Sequence, residues 1–242
     1  MYIGTAFQLC QDAGMVKKSH GTPRREESLS RDRIVDAAIE LLDDSGEAGL
    51  TFRALSGRLA TGPGAIYWHI ADKSDLLTAA CDAVVARALA PAPTGAAPAD
   101  AIRAIALGLF DAIDAHPWVG SALMRAPEQL PLVRILERLG QQLDALGVAR
   151  EAQWAAGSAL SSYILGVSGQ NAANAHVARH QELDRSTFLH EVATTWSQLD
   201  PDDYPFVRRM AVHLPDHDDR ADYLAGIDLI LGGLEAGRRR AR

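Results

Sequence analysis

Residues 50–75, LTFRALSGRLATGPGAIYWHIADKSD, constrain this chain more than any other stretch. Two short helical patterns lie back to back there, with a break of about three residues between them. Thr51 is placed to cap the first helix, its hydroxyl accepting a backbone N–H that the helix cannot pair for itself. Phe52, Leu55 and Leu59 fall at i, i+3 and i+7, an apolar stripe that faces inward and leaves Arg53 and Arg58 on other faces. The periodicity stops at Ala60-Thr61-Gly62. Pro63 then opens a second helix, at the position where a missing N–H costs nothing, with Gly62 or Thr61 as its cap. That helix reads to about Ile70, held to a core by Ile66 and Ile70 at i and i+4. Tyr67, His69 and part of Trp68 are left near the outside. Two short helices joined by a tight turn are a helix-turn-helix. Its second helix can enter a DNA major groove about 12 Å wide while the first braces it on the backbone.

The elements on either side fit that reading. Ser30 caps a helix running to about Asp44, with Ile34, Ala38, Leu41 and Leu42 as its apolar stripe and Ser45-Gly46 as its end. Asp72 or Ser74 caps another, Asp75 to about Leu89, with Leu76, Ala80, Val84 and Leu89 turned inward. The ordered residues Leu50-Thr51-x-Arg53-x-Leu55, then Pro63-Gly64-Ala65-Ile66-Tyr67-Trp68-His69-Ile70-x-x-Lys73-x-x-Leu76, resemble the DNA-binding domain of tetracycline-repressor (TetR) family regulators. The resemblance covers residues 30–88, and the Tyr-Trp-His-Ile-x-x-Lys ending makes it specific.

The rest of the composition bounds the class. A chain of 242 residues holds one or two domains, and 48% hydrophobic with 23% charged residues is ordinary for a globular protein. Aromatics are few and alanine abundant, which favours closely packed helices over sheets. No apolar run approaches the roughly 18 residues of a membrane span. Net charge is −7, yet residues 17–90 carry ten Lys/Arg against eleven Asp/Glu, so that part is near neutral. A DNA-binding role therefore needs its positive charges clustered, among Lys17, Lys18, Arg24, Arg25, Arg31, Arg33, Arg53 and Lys73. Modest non-specific affinity and a shallow salt dependence follow. Two cysteines, Cys10 and Cys81, and no secretory leader suit a reducing compartment, the cytoplasm.

The expected architecture is all-α: an N-terminal three-helix DNA-binding domain with the helix-turn-helix, and a C-terminal helical domain for ligand binding and dimerisation. Residues 1–29 read as a flexible extension, of which 1–14 are expected to be dispensable for DNA affinity. The basic segment 17–25 reads as a solvated tail more readily than as an arm in the minor groove. Residues 30–89 form the DNA-binding domain. APAPTGAAPA, 90–99, is the one clear boundary. Residues 100–242 form the second domain, with helices expected over 100–115, 117–125, 129–146, 150–176, 185–198, 202–213 and 217–238.

On the DNA-facing side, the second helix of the motif offers Pro63, Gly64, Ala65, Tyr67, Trp68 and His69. Arg53 is the best candidate for a bidentate contact to guanine, and Ala65 can touch a thymine methyl. Tyr67, His69 and Lys73 suit phosphate contacts, which fix register without reading sequence, and Thr51 can add one. The resemblance supports these roles at the matching positions. Packing of Tyr67 and Trp68 against the first helix is the alternative. Ala60 departs from the glycine that many family members have in the turn, which is strained if that residue needs φ > 0.

In the second domain, residues 150–176 are rich in Ala, Gly and Ser, and no acid lies between Glu151 and Glu182. Such a helix is expected to be buried on most of its circumference. The last helix carries Leu224, Ile227, Leu231 and Leu234 on one side, with Gly226, Gly233 and Gly237 for close helix approach. The helices at 150–176 and 217–238, with their copies from a second subunit, are expected to form a four-helix homodimer interface. The resemblance implies a small-molecule effector in this domain. Its candidate contacts are His116, Trp118, Met124, Trp154, Ser158, Ser161, Tyr163, Gln170, Asn171 and Asn174, with burial in the core or at the seam as the alternative. The tetracycline repressor holds its drug through magnesium, a histidine and an acid on the long helix. The missing acid here points to a different, non-metallic ligand. His176 with His180 and His213 with His217 lie at i, i+4 but lack a third ligand, so no metal and no cofactor are expected. A phosphate loop, a nucleophile elbow and an HExxH run are all missing, which argues against the main rival, an all-α enzyme.

Overall fold

The computed structural model describes residues 29–89, 95–125, 128–180 and 183–240, and all the described regular structure is helical. The expected features of residues 1–28 and of 90–94 lie outside the described residues. Eleven helices follow in order: α1 Arg31–Gly49, α2 Phe52–Arg58, α3 Pro63–Tyr67, α4 Lys73–Ala88, α5 Pro98–Ala115, α6 Trp118–Arg125, α7 Leu130–Ala145, α8 Arg150–His180, α9 Arg185–Ser197, α10 Pro205–Ala211 and α11 Asp219–Arg240. A single 3-10 turn, Leu214–Asp216, precedes α11.

The starts of these helices follow from their caps. The Ser30 hydroxyl accepts the Arg33 N–H at 3.2 Å, and the Asp72 carboxylate accepts the Asp75 N–H at 2.9 Å. Asp72 rather than Ser74 is therefore the cap, and α4 begins two residues before the expected Asp75. α1 breaks where glycine predicts: Gly46 adopts φ 60°, ψ −169°, and one further turn carries the chain to Gly49. α3 is shorter than expected, ending at Tyr67, although Ile70 beyond it is buried as foreseen.

α5 lies at the centre, against α4, α7, α8 and α11. Its Ile102, Ile105, Leu109 and Ile113 meet Ile135, Leu139 and Leu143 of α7 and Leu160 and Ile164 of α8 in one core. That core is continuous with the head, because α4 packs on α1 from one side and on α5, α6 and α7 from the other. Gly108 makes the α4–α5 approach possible: a Cβ there would stand 2.3 Å from the Ala88 carbonyl oxygen. The proline-rich boundary thus separates two stretches of sequence but not two cores.

α8 does not complete its burial within one protomer. Within a protomer it is buried along one face only, through Ala156, Leu160, Ser161, Ile164, Leu165, Ser168 and Ala172. Ala155, Ala159, Ser162, Gly166, Gln170 and Ala173 stay exposed along another. On α11, Ile227 and Leu231 face inward with Tyr223, while Leu229 is 79% exposed. Gly226 lies against the Tyr163 ring, whereas Gly233 and Gly237 have open space where a Cβ would be.

Candidate DNA-binding face and ligand cavity

The head is built from short-range bonds. The Thr51 hydroxyl accepts the Ala54 N–H at 3.1 Å, capping α2. At the other end Thr61 N–H donates to the Ser56 carbonyl at 3.0 Å and Ala60 N–H to Gly57 at 3.3 Å. These two bonds close a Schellman turn, whose C′ residue lies in the left-handed region. That residue is Ala60, at φ 50°. Gly62 then caps α3 without a side-chain bond.

Ile66 and Ile70 anchor α3, so the intervening side chains turn outward. Tyr67 stacks one ring face on Phe52, with centroids 4.5 Å apart, and is still 55% exposed. Tyr67 therefore packs against the first helix of the motif, as its alternative reading has it, and keeps about half its surface open. Trp68 is 89% exposed, so it does not pack against α2. Pro63 and Gly64 are exposed and Ala65 half-buried beside them. Arg53, exposed on α2, makes no hydrogen bond or ion pair with any described residue. Arg58 is instead committed to Glu40 at 3.0 Å and Asp44 at 2.6 Å.

His69 is half-buried, and its carbonyl accepts from Arg31. Arg31 also pairs with Asp75 at 3.0 Å. Asp75 accepts the Ala71 N–H, and that bond, then Arg31, holds its carboxyl below the usual carboxylate range. The first residue of the support helix thereby clamps the end of α3. Lys73 sits exposed on the first turn of α4, with its Nζ donating to the Glu47 carbonyl at 2.5 Å.

The candidate effector contacts separate into groups. Met124, Trp154, Ser158 and Ser161 come together around a cavity of about 970 Å³ between α6, α7 and α8. Gly120, Leu132, Leu136 and Leu165 complete its mainly apolar wall. The sequence reading missed Leu132 and Leu136. Their i, i+4 spacing, beside the buried Ile135 and Leu139, marks the second edge of α7's apolar arc. Asn171 and Asn174 line a different cavity, between α5, α8 and α9. Gln170 is exposed and borders neither. Tyr163 joins α8 to α11, its hydroxyl donating to the Tyr223 carbonyl at 3.1 Å, and burial raises its pKa.

His116 and Trp118 also lie outside both cavities. His116 Nδ1 and Trp118 Nε1 each reach the Asp43 carboxylate of α1 at 2.8 Å. Arg125, at the far end of α6, pairs with Glu47 of α1. α6 is therefore tied at both ends to the helix that supports the motif. Among the described residues no cluster of His, Cys, Asp and Glu could hold a metal ion, and no helix is long and apolar enough to cross a membrane. Cys81 is buried, which pushes its thiol up to about 12 and leaves it inert as a nucleophile at neutral pH.

Comparison with known proteins agrees with the geometry. Residues 34–80 match the family described as bacterial regulatory proteins, tetR family, and residues 91–238 match the tetracyclin repressor-like C-terminal domain. An HTH-type transcriptional regulator of Saccharopolyspora erythraea is 36% identical over 162 residues, 66% of each chain. The tetracycline repressor protein class D of Escherichia coli is 41% identical over 59 residues, 24% of this chain and 27% of that one. The chain thus spans just under two thirds of the first curated relative and about a quarter of the second. The solved structure of SCO7222, a TetR transcriptional regulator from Streptomyces coelicolor, shares 54% identity at a TM-score of 0.78, over 86% of this chain and 98% of that one. With a helix-turn-helix head and a C-terminal domain that both match, the chain belongs to the TetR family of transcriptional regulators.

Proposed function

We propose that the protein is a repressor that holds a pseudo-palindromic operator as a homodimer and releases it when a small, mainly apolar molecule fills the cavity between α6, α7 and α8. The placement of α6 carries this reading. Gly120, Ser121 and Met124 border the cavity, while Arg125, Trp118 and the preceding His116 grip Glu47 and Asp43 of α1. A guest that displaces α6 displaces α1, and with it the seat of α3. The cavity volume lies within the roughly 300–1,000 Å³ usual for small-molecule sites.

The homodimer forms through residues 150–176 and 217–238, that is α8 and α11. The exposed small-residue stripe of α8 and the exposed Leu229 of α11 are surfaces that a second copy would cover. A two-fold axis then sets two α3 helices about 34–36 Å apart, or a multiple of that. On each half-site Arg53 takes guanine, Ala65 meets a thymine methyl, and Thr51, Tyr67, His69 and Lys73 hold phosphates. Lys73 leaves the Glu47 carbonyl to do so.

The test is a gel shift on the DNA flanking the protein's own gene, repeated with a metabolite panel. One dimer is expected to shift a two-half-site fragment, and at least one apolar metabolite to reverse the shift. Inserting about five base pairs between half-sites turns one by half a helical turn and is expected to abolish tight binding. Equal affinity for a single half-site would overturn the dimeric reading.

A further inference from the structure

We propose that the protein carries a second small-molecule site, distinct from the effector cavity, that takes an organic cation: a protonated amine on a flat apolar body. The site is the cavity of about 680 Å³ between α5, α8, α9 and the start of α11. It shares no lining residue with the cavity between α6, α7 and α8.

Two phenyl rings line it. Phe110 is 6% exposed, and Phe188 is half-buried on α9. A cation placed over an aromatic face is attracted by the ring's negative quadrupole. The charged groups around these rings settle which sign of ligand is welcome. Arg185 is taken by Asp219 at 2.7 Å and also donates to the His217 carbonyl. Arg220 forks onto Asp111 at 3.0 Å. His217 lies between Asp219 and Asp222. Asp218 accepts the N–H groups of Arg220 and Ala221, both at 3.0 Å.

Asp114 differs from all of these. Its carboxylate accepts one N–H, from the Asn171 amide at 3.1 Å, and among the described residues no cationic side chain pairs with it. Asn174, three residues along the same face of α8, makes no hydrogen bond with any described residue. A carboxylate without a cationic partner among the described residues and an amide carbonyl without a bond to any of them thus line one cavity with two phenyl rings. A guest ammonium can take both oxygens while its ring lies against Phe188. An anionic guest would have to break an Arg–Asp pair and also approach Asp114, which disfavours it.

The site needs neither operator nor effector to be occupied, so it is tested on the full-length protein alone. Tryptamine and indole-3-propionate present one ring system with opposite charges, and calorimetric titration reads both. Tryptamine is expected to bind once per chain, and indole-3-propionate at least about tenfold more weakly. Asp114→Asn and Phe188→Ala are each expected to weaken tryptamine about tenfold. Asn174→Asp, exposed within one protomer, adds a second carboxylate and is expected to strengthen it. Ser158→Phe, which fills the other cavity, is expected to leave tryptamine unaffected. The proposal is overturned if tryptamine gives no saturable binding, if Ser158→Phe abolishes it, or if neither Asp114→Asn nor Asn174→Asp changes it.

Discussion

Ala60 is the residue at which this sequence and its backbone disagree. It is the only non-glycine with positive φ among the described residues, and it occupies the C′ position of the turn between α2 and α3. A Cβ in the left-handed region costs about 1–2 kcal/mol. Glycine removes that cost but gives back about 0.4–1 kcal/mol through the freer unfolded chain. Ala60→Gly is therefore expected to stabilise the protein by about 0.5–1 kcal/mol in urea unfolding, with operator affinity unchanged. A loss of stability would mean that the strain account is wrong. Arg53 raises a matter of recognition instead. Arg53→Ala is expected to forfeit about 1–3 kcal/mol of discrimination between operator and random DNA, while Lys73→Ala weakens both alike. Equal losses on the two DNAs for Arg53→Ala would refute its base-reading role. The left-handed turn was legible because a broken periodicity localises it to three residues. The resting place of Lys73 was not, because its partner is a main-chain carbonyl on a helix 26 residues earlier, and no pattern in the side chains encodes that.

Among the helices, those with strong signals at their ends were readable: Ser30, Thr51 and Asp72 as caps, Pro63 as a start, Gly46 as a stop. The lack of acids on α8 suggests burial on most of its circumference, with a second subunit covering part of it. One protomer buries only one face, which leaves the other for a second chain. The α8–α11 contact itself is built on Gly226. A Cβ there would fall 1.8 Å from Tyr163 Oη and 2.3 Å from its Cζ. Gly226→Ala forces the tyrosine away from the Tyr223 carbonyl and from the Tyr223 ring, whose centroid lies 5.7 Å from its own. Overpacking of this kind costs about 1–3 kcal/mol, more than the up to ~1 kcal/mol that alanine returns as a better helix former. The expected result is a less stable protein with a weaker dimer, read by thermal melting and sedimentation. In a Tyr163→Ala background the same substitution is expected to cost much less, because the obstacle has gone. Additive effects in that cycle would show that the glycine serves something other than the tyrosine.

At the scale of the whole molecule, the shared core decides how a ligand can reach DNA. Head and body are not hinged on a bare linker: α4 is wedged between α1 and α5, so closely that Gly108 admits no side chain toward Ala88. A shift in the body must therefore reach the head through packed helices and fixed bonds. The most specific of these is Asp43, which accepts from His116 and Trp118 at once. Trp118 is one of the candidate effector contacts, with burial in the core as its alternative, and it is buried, 7% exposed. Its indole N–H is spent instead on the opposite domain. Asp43→Ala leaves that buried donor without a partner, at about 1–3 kcal/mol of stability, and cuts one of the two ties between α6 and α1. Operator affinity without effector is expected to stay within a few-fold, since the side-chain bonds of Asp43 run to His116 and Trp118 and not to α2 or α3. The effector's power to release operator is expected to fall. Coupling between sites in such systems is typically 5–150-fold, and loss of this tie is expected to remove at least about fivefold of it. The linkage is reciprocal, so the operator's effect on effector affinity must shrink by the same factor. The control is Arg87→Ala, which breaks an exposed pair with Asp36 between α4 and α1 and is expected to leave coupling intact. If Asp43→Ala keeps full release, or if the two affinity changes disagree, the signal does not pass through the α6–α1 bonds and the packing of α4 must carry it instead.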